Sequence, residues 1–233
     1  MRRTGLIVGV LFIIATAFLF LGEVFYKPFL DAPDVLTIAA QNKPVIVLGL
    51  MIELICILAM PLIGAFIYPI LRRLSTGLAL SYFFFRSLEA IILTNVALTN
   101  KFALLSLSEA QLAGADPSLA DGALMLIRAQ NVWADTAGML YNIIFALGAI
   151  CLYGTLFYAR LIPRWISLFG LIAIAVLLVV VGAAIFVPLP SWGPLLIVPI
   201  GVQEMVMALW FIFRGFDFRA ITHLHPHNTE TPA

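Results

Sequence analysis

Six apolar runs, separated by short polar turns, leave this chain few folds to choose from. They cover Gly5–Phe25, Pro44–Leu71, Thr76–Asn100, Met139–Tyr158, Ile166–Val187 and Leu195–Phe213. Each is near the ~20 residues that a helix needs to cross the hydrocarbon core of a bilayer. In lipid the backbone must satisfy its own hydrogen bonds, and an apolar run of this length does so as a helix. Composition agrees: 63% of the 233 residues are hydrophobic and 11% charged, where a soluble domain carries about 25% charged residues. The expected fold is all-α, an integral membrane bundle of six transmembrane helices spanning residues 1–217. Residues 218–233 form a polar C-terminal tail expected to be disordered. A formal net charge of +1 excludes a nucleic-acid partner, which needs a basic surface. The expected partner is the lipid bilayer.

The turns carry the punctuation that such a fold needs. Pro44 suits the first turn of its helix, where the missing N–H would be unpaired anyway. Pro61 falls in mid-helix and predicts a kink. Ala15-Thr16-Ala17 would suit signal cleavage, but the run continues apolar past it, which favours a retained helix. Gly5 and Gly9 form a small-xxx-small pair that marks close helix packing. The stretch from Lys101 to about Arg128 reads as the longest loop, extracytoplasmic and partly mobile. Leu104–Ala113 within it suits a short interfacial helix.

Orientation follows from Lys and Arg. With the amino terminus inside, the inner side holds Arg2, Arg3, Arg72, Arg73, Arg160, Arg164, Arg214 and Arg219. The outer side holds Lys27, Lys43, Lys101 and Arg128. Both termini are therefore expected to be cytoplasmic, and the protein to be multi-pass in a bacterial cytoplasmic membrane.

Against this background four charges stand out: Glu53, Arg86, Glu89 and Glu204. At ~1.5 Å per helical residue, Glu53 and Glu204 lie roughly 13–14 Å from the outer ends of their spans. Arg86 and Glu89 lie about 15 and 20 Å from the inner end of theirs. Residues three apart share a helix face, so Arg86 and Glu89 point the same way. Charge inside a membrane is expensive and usually turns inward to pair. The expectation is one buried cluster, with Arg86 facing Glu53, Glu89 and Glu204 as a candidate ligand- or ion-binding site. Three carboxylates against one guanidinium leave excess negative charge, to be met by protonation or by a bound cation. Glu23, Asp135 and Asn142, near outer helix ends, are candidates for an outer vestibule.

Enzyme chemistry finds little footing. No intramembrane histidine and no His-Glu-x-x-His motif is present, so no metal site is expected. Ser81 and Ser87 have no histidine or lysine base on their helix. No Walker motif appears, and no cofactor is expected. Cys56 and Cys151 sit in apolar runs with no Cys-x-x-Cys, and read as buried hydrophobes. His223, His225 and His227 lie in the tail without groups to orient them.

Three motifs in order give a family resemblance. Phe85-Arg86-Ser87-Leu88-Glu89-Ala90 is followed by Arg160-Leu161-Ile162-Pro163-Arg164-Trp165. Then comes Glu204-Met205-Val206-Met207-Ala208-Leu209-Trp210, continuing to Arg214-Gly215-Phe216-Asp217. Together they resemble bacterial membrane proteins of domain-of-unknown-function family 4386, from the first span to Asp217. The resemblance implies a polytopic membrane protein and no particular substrate or reaction. Three functions stay open. One is binding or translocation of a small solute, ion or proton at the buried cluster. Another is a structural or regulatory role in which the cluster only fixes helix packing. The third is an intramembrane enzyme with a carboxylate acid or base, which the missing motifs make the weakest. Internal duplication would favour transport, but Glu53 and Glu89 have no convincing counterparts in the last two spans.

Overall fold

Helix α1 (Arg2–Leu30) opens the chain, followed by the short α2 (Val35–Gln41) and by α3 (Lys43–Leu71). Then come α4 (Thr76–Ile92), a π-helical segment (Leu93–Leu98) and α5 (Thr99–Leu112). The last four are α6 (Pro117–Ala134), α7 (Met139–Tyr158), α8 (Arg164–Phe186) and α9 (Val198–Phe213). The structure is a computed structural model that describes residues 2–134, 138–187, 195–196 and 198–217. No strand occurs among the described residues, and the protein is an all-α membrane bundle.

Among the described residues five helices are long and apolar enough to cross a membrane: α1, α3, the continuous Thr76–Leu112, α7 and α8. The sixth, α9, is apolar and shorter, at 16 residues. Their outward faces carry large apolar side chains, such as Val179 at 71% and Phe84 at 59% exposure. A soluble protein rarely leaves so many such residues open, whereas lipid is their natural solvent. The tail from residue 218, with its three histidines, lies outside the described residues, as does the proline-rich stretch 188–194.

The chain divides into two compact units. One comprises residues 1–13, 62–86 and 145–233. In it α8 packs on α9, and α1 meets α9 through the two glycines noted above. A Cβ on Gly5 would lie 2.9 Å from both the Gly215 Cα and the Phe211 carbonyl oxygen. One on Gly9 would lie 2.5 Å from the Ala208 carbonyl oxygen. Backbones can approach this closely only where no side chain intervenes, which is the packing device expected from the Gly5/Gly9 spacing. Phe211 fills the centre of this contact, its ring 6.5 Å from Phe12 and 4.5 Å from Phe216.

The other unit comprises residues 14–61 and 87–144. Here α5 packs against both α2 and α6. Gly22 of α1 and Gly49 of α3 face each other: a Cβ on either would lie 2.8 Å from the other's carbonyl oxygen. The start of α6 is capped by Asp116, whose Oδ1 accepts from the Ser118 backbone N–H at 2.9 Å and the Ser118 hydroxyl at 2.8 Å. Pro117 takes the first helical position, where no N–H is needed. Those two hydrogen bonds, the backbone one first, hold the Asp116 carboxyl below its ordinary range. A lowered pKa means the cap is intact above the unfolded value and is lost as pH falls through the folded one.

The largest departure from expectation is at Lys101. It does not open a loop. The third span runs on through the π segment, making Thr76–Leu112 one helix of 37 residues. The end of that helix, α5, and then α6 occupy the region expected to be loop. Lys101 is buried, at 7% exposure. The reason is rotational. At ~100° per residue, the twelve steps from Glu89 to Lys101 would leave them about 120° apart. A π turn inserts about one residue, which turns Lys101 back to within roughly 20° of Glu89. The buried residues of this stretch accordingly include Glu89, Leu93, Ala97, Lys101 and Leu105, spaced by four rather than by 3.6.

Candidate functional site

In the unit of residues 14–61 and 87–144, Gly22 and Gly49 bring α1 against α3. That approach sets Tyr26 of α1 and Glu53 of α3 around Lys101. The Lys101 ammonium donates to both Glu53 carboxylate oxygens at 2.9 Å and to the Tyr26 hydroxyl at 3.0 Å. It also lies 4.3 Å from the centre of the Tyr26 ring. Glu53 is fully buried. Each of the three ammonium donors thus has an acceptor, so the group is saturated. Nearby, Asn100 donates to Asn131 Oδ1 at 2.9 Å, tying α5 to α6. Nearer solvent, Lys43 pairs with Glu109.

In the other unit, Arg86 of α4 faces Glu204 of α9. One guanidinium nitrogen lies 4.0 Å from a Glu204 oxygen. A tight charge-assisted hydrogen bond would be about 2.7–2.9 Å. The guanidinium is also bracketed by aromatic rings, 5.4 Å from the Phe12 centroid and 6.0 Å from that of Phe145. Next to Glu204 in the chain, Gln203 reaches α8 and donates to the Ile166 carbonyl at 3.3 Å. Its own Oε1 and the hydroxyl of Ser167 are buried with no hydrogen-bond partner among the described residues. Such orphaned polar atoms are rare in folded proteins and call for an explanation.

Of the four charges expected in one cluster, Arg86 and Glu204 belong to one unit, Glu53 and Glu89 to the other, and Glu89 lies one helical turn from Arg86 on α4. Glu89 is buried, at 1% exposure. Arg86 is not the only buried cation, because Lys101 is the second. Hydropathy hid it, since a lysine after an apolar run reads as a helix end. The signal available was the four-residue spacing that places it in line with Glu89. Among the described residues the buried charged side chains are Glu53, Glu89, Arg86 and Lys101, with Glu204 at 14% side-chain exposure. Of the vestibule candidates, Asn142 is buried and donates to the Gly138 carbonyl at 2.8 Å, one turn back on its own helix. Glu23 is half-buried on α1. Asp135 lies outside the described residues.

A family model described as domain of unknown function DUF4386 matches residues 7–215. The chain belongs to the DUF4386 family. The DUF4386 match takes in both buried ion pairs and all the described residues except 2–6 and 216–217. No curated protein and no solved structure matches the chain. Family membership thus agrees with the resemblance read from the three motifs, and carries no activity with it.

Proposed function

We propose that this membrane protein binds a small solute, a cation or a proton at its buried charged groups, with Arg86 and Glu204 as the exchangeable site. The observation that carries this reading is the contrast between the two ion pairs. Lys101 and Glu53 are closed on each other at 2.9 Å, whereas Arg86 and Glu204 stand 4.0 Å apart. A pair at that distance leaves a carboxylate oxygen able to accept another partner. The orphaned Gln203 Oε1 and Ser167 hydroxyl add polar atoms on α9 and α8, the former one residue from Glu204. Glu53, by contrast, supports the structural role for its own pair, because a saturated ammonium has nothing left to offer a ligand.

The test is thermal unfolding of the purified protein from pH 5 to 9, with and without added cations. Wild type should respond to one or both. Glu204→Gln should fold and lose that response, and Glu53→Gln should shift stability without abolishing it. If wild type and the Glu53→Gln, Glu89→Gln and Glu204→Gln variants share one pH and cation profile, the charges serve packing alone.

We place the protein in a bacterial cytoplasmic membrane with both termini inside. The support is the arginine bias, which sharpens once Lys101 leaves the outer loop. A reporter inserted in the turn after α3, at Arg72-Arg73, should be active only as a cytoplasmic fusion. Activity confined to the outside would reverse the topology.

A further inference from the structure

Within the unit of residues 1–13, 62–86 and 145–233 lies an open cleft of about 910 Å³. It is formed by the turn after α7 and the chain leaving α9. Arg160, Arg164 and Arg214 line it, with Trp210 and Asp217. Three guanidinium groups against one carboxylate leave it about two charges positive.

The cleft is built rather than accidental. The Asp217 backbone N–H donates to the Leu161 carbonyl at 2.8 Å, tying its two walls together. Arg164, in the first turn of α8, holds its guanidinium 5.0 Å from the Phe157 ring centre. Arg160 is the only non-glycine among the described residues with positive φ, at 52°. That position ends α7, where a helix usually takes glycine. An arginine held in an unfavourable backbone region suggests that its side chain is needed where it points. The bland account is that these arginines only fix topology. It explains their sidedness. It does not explain their convergence on one cleft or the strained backbone of one of them.

The rim locates the cleft in the membrane. Tyr158 and Trp165, at 75% and 58% exposure, end α7 and begin α8. Exposed Tyr and Trp at span ends mark the headgroup level. Guanidinium groups bind phosphate oxygens in paired hydrogen bonds. The volume suits a whole headgroup better than a lone phosphate. We propose that this cleft binds the phosphate-bearing headgroup of an acidic phospholipid. Free phosphate shares the chemistry, but the interfacial rim favours the lipid.

The experiment is thermal unfolding of the full-length protein in a neutral detergent. It is titrated with short-chain phosphatidylglycerol, phosphatidylcholine of the same chain length, or inorganic phosphate. Phosphatidylglycerol should raise the unfolding temperature and phosphatidylcholine should not. Arg160→Gln/Arg214→Gln should need at least roughly tenfold more phosphatidylglycerol for the same shift. Arg72→Gln/Arg73→Gln removes the same charge elsewhere and should respond like wild type. Arg160→Gly guards against a folding defect. Glycine accepts the positive φ, so this variant should unfold no lower than wild type without lipid and still respond more weakly to it. A cleft-variant response equal to wild type overturns the proposal. So does an equal effect of phosphatidylcholine, and so does an inorganic phosphate shift that leaves nothing for the lipid to add.

Discussion

Lys101→Met is expected to be among the most damaging single substitutions in the second unit. It removes the ammonium that both Glu53 oxygens accept from at 2.9 Å and leaves a fully buried carboxylate. Breaking a buried pair from one side costs about 3–5 kcal/mol. That is a large share of the ~5–15 kcal/mol by which folded proteins exceed their unfolded states. Protonation of Glu53 limits the loss, so the defect should be larger at high pH than at low pH. The double variant Lys101→Met/Glu53→Leu should recover most of the stability, because a buried pair replaced whole by apolar groups is often neutral. Tyr26→Phe should cost less, about 1 kcal/mol, since it deletes one hydrogen bond of several. Unfolding in detergent at two pH values checks all three. A Lys101→Met variant within about 1 kcal/mol of wild type would mean that the ammonium does not hold Glu53, and that the buried lysine is not structural.

This same residue shows where sequence reading ended. The transmembrane helices were legible because membrane crossing is a local property: length and apolarity suffice, and no partner need be known. The Gly5/Gly9 packing was legible for a similar reason, as the absence of a side chain can be read without knowing what fills the space. Lys101 was not, because its burial depends on Glu53, 48 residues away, and on a helix that changes its winding between Leu93 and Leu98. Hydropathy treats every lysine as a wish for water. Only the row Glu89, Leu93, Ala97, Lys101, Leu105, at intervals of four, hinted that the helix continues. The depth argument for Glu53, Arg86, Glu89 and Glu204 measured height along each helix. It could not say which way each helix was turned, and rotation decides partners. Gln203 was visible beside Glu204 throughout. Its significance comes from an unpartnered oxygen, which no sequence displays.

Arg86→Leu and Glu204→Gln should have opposite consequences, though they touch the same ion pair. A guanidinium stays charged at any relevant pH. Arg86 therefore supplies permanent positive charge where Glu204 sits at 14% side-chain exposure. Arg86→Leu strips that charge and the contacts with the Phe12 and Phe145 rings, each worth about 0.5–2 kcal/mol. The expected cost approaches the ~3–5 kcal/mol of an orphaned buried charge, lessened to the extent that Glu204 takes up a proton. Folded yield from the membrane should fall, and unfolding in detergent should come earlier. Glu204→Gln keeps the shape and removes only the charge. Arg86 keeps its aromatic neighbours, and at 4.0 Å the lost attraction was already weaker than that of a contact pair. The variant should fold to nearly normal yield while its unfolding temperature stops following pH or cations. Measured yield, unfolding temperature and pH profile for both variants decide between an exchangeable site and a brace. Were Glu204→Gln to lose as much folded protein as Arg86→Leu, the pair would be a brace like Lys101 and Glu53, and the exchangeable site would have to be sought elsewhere.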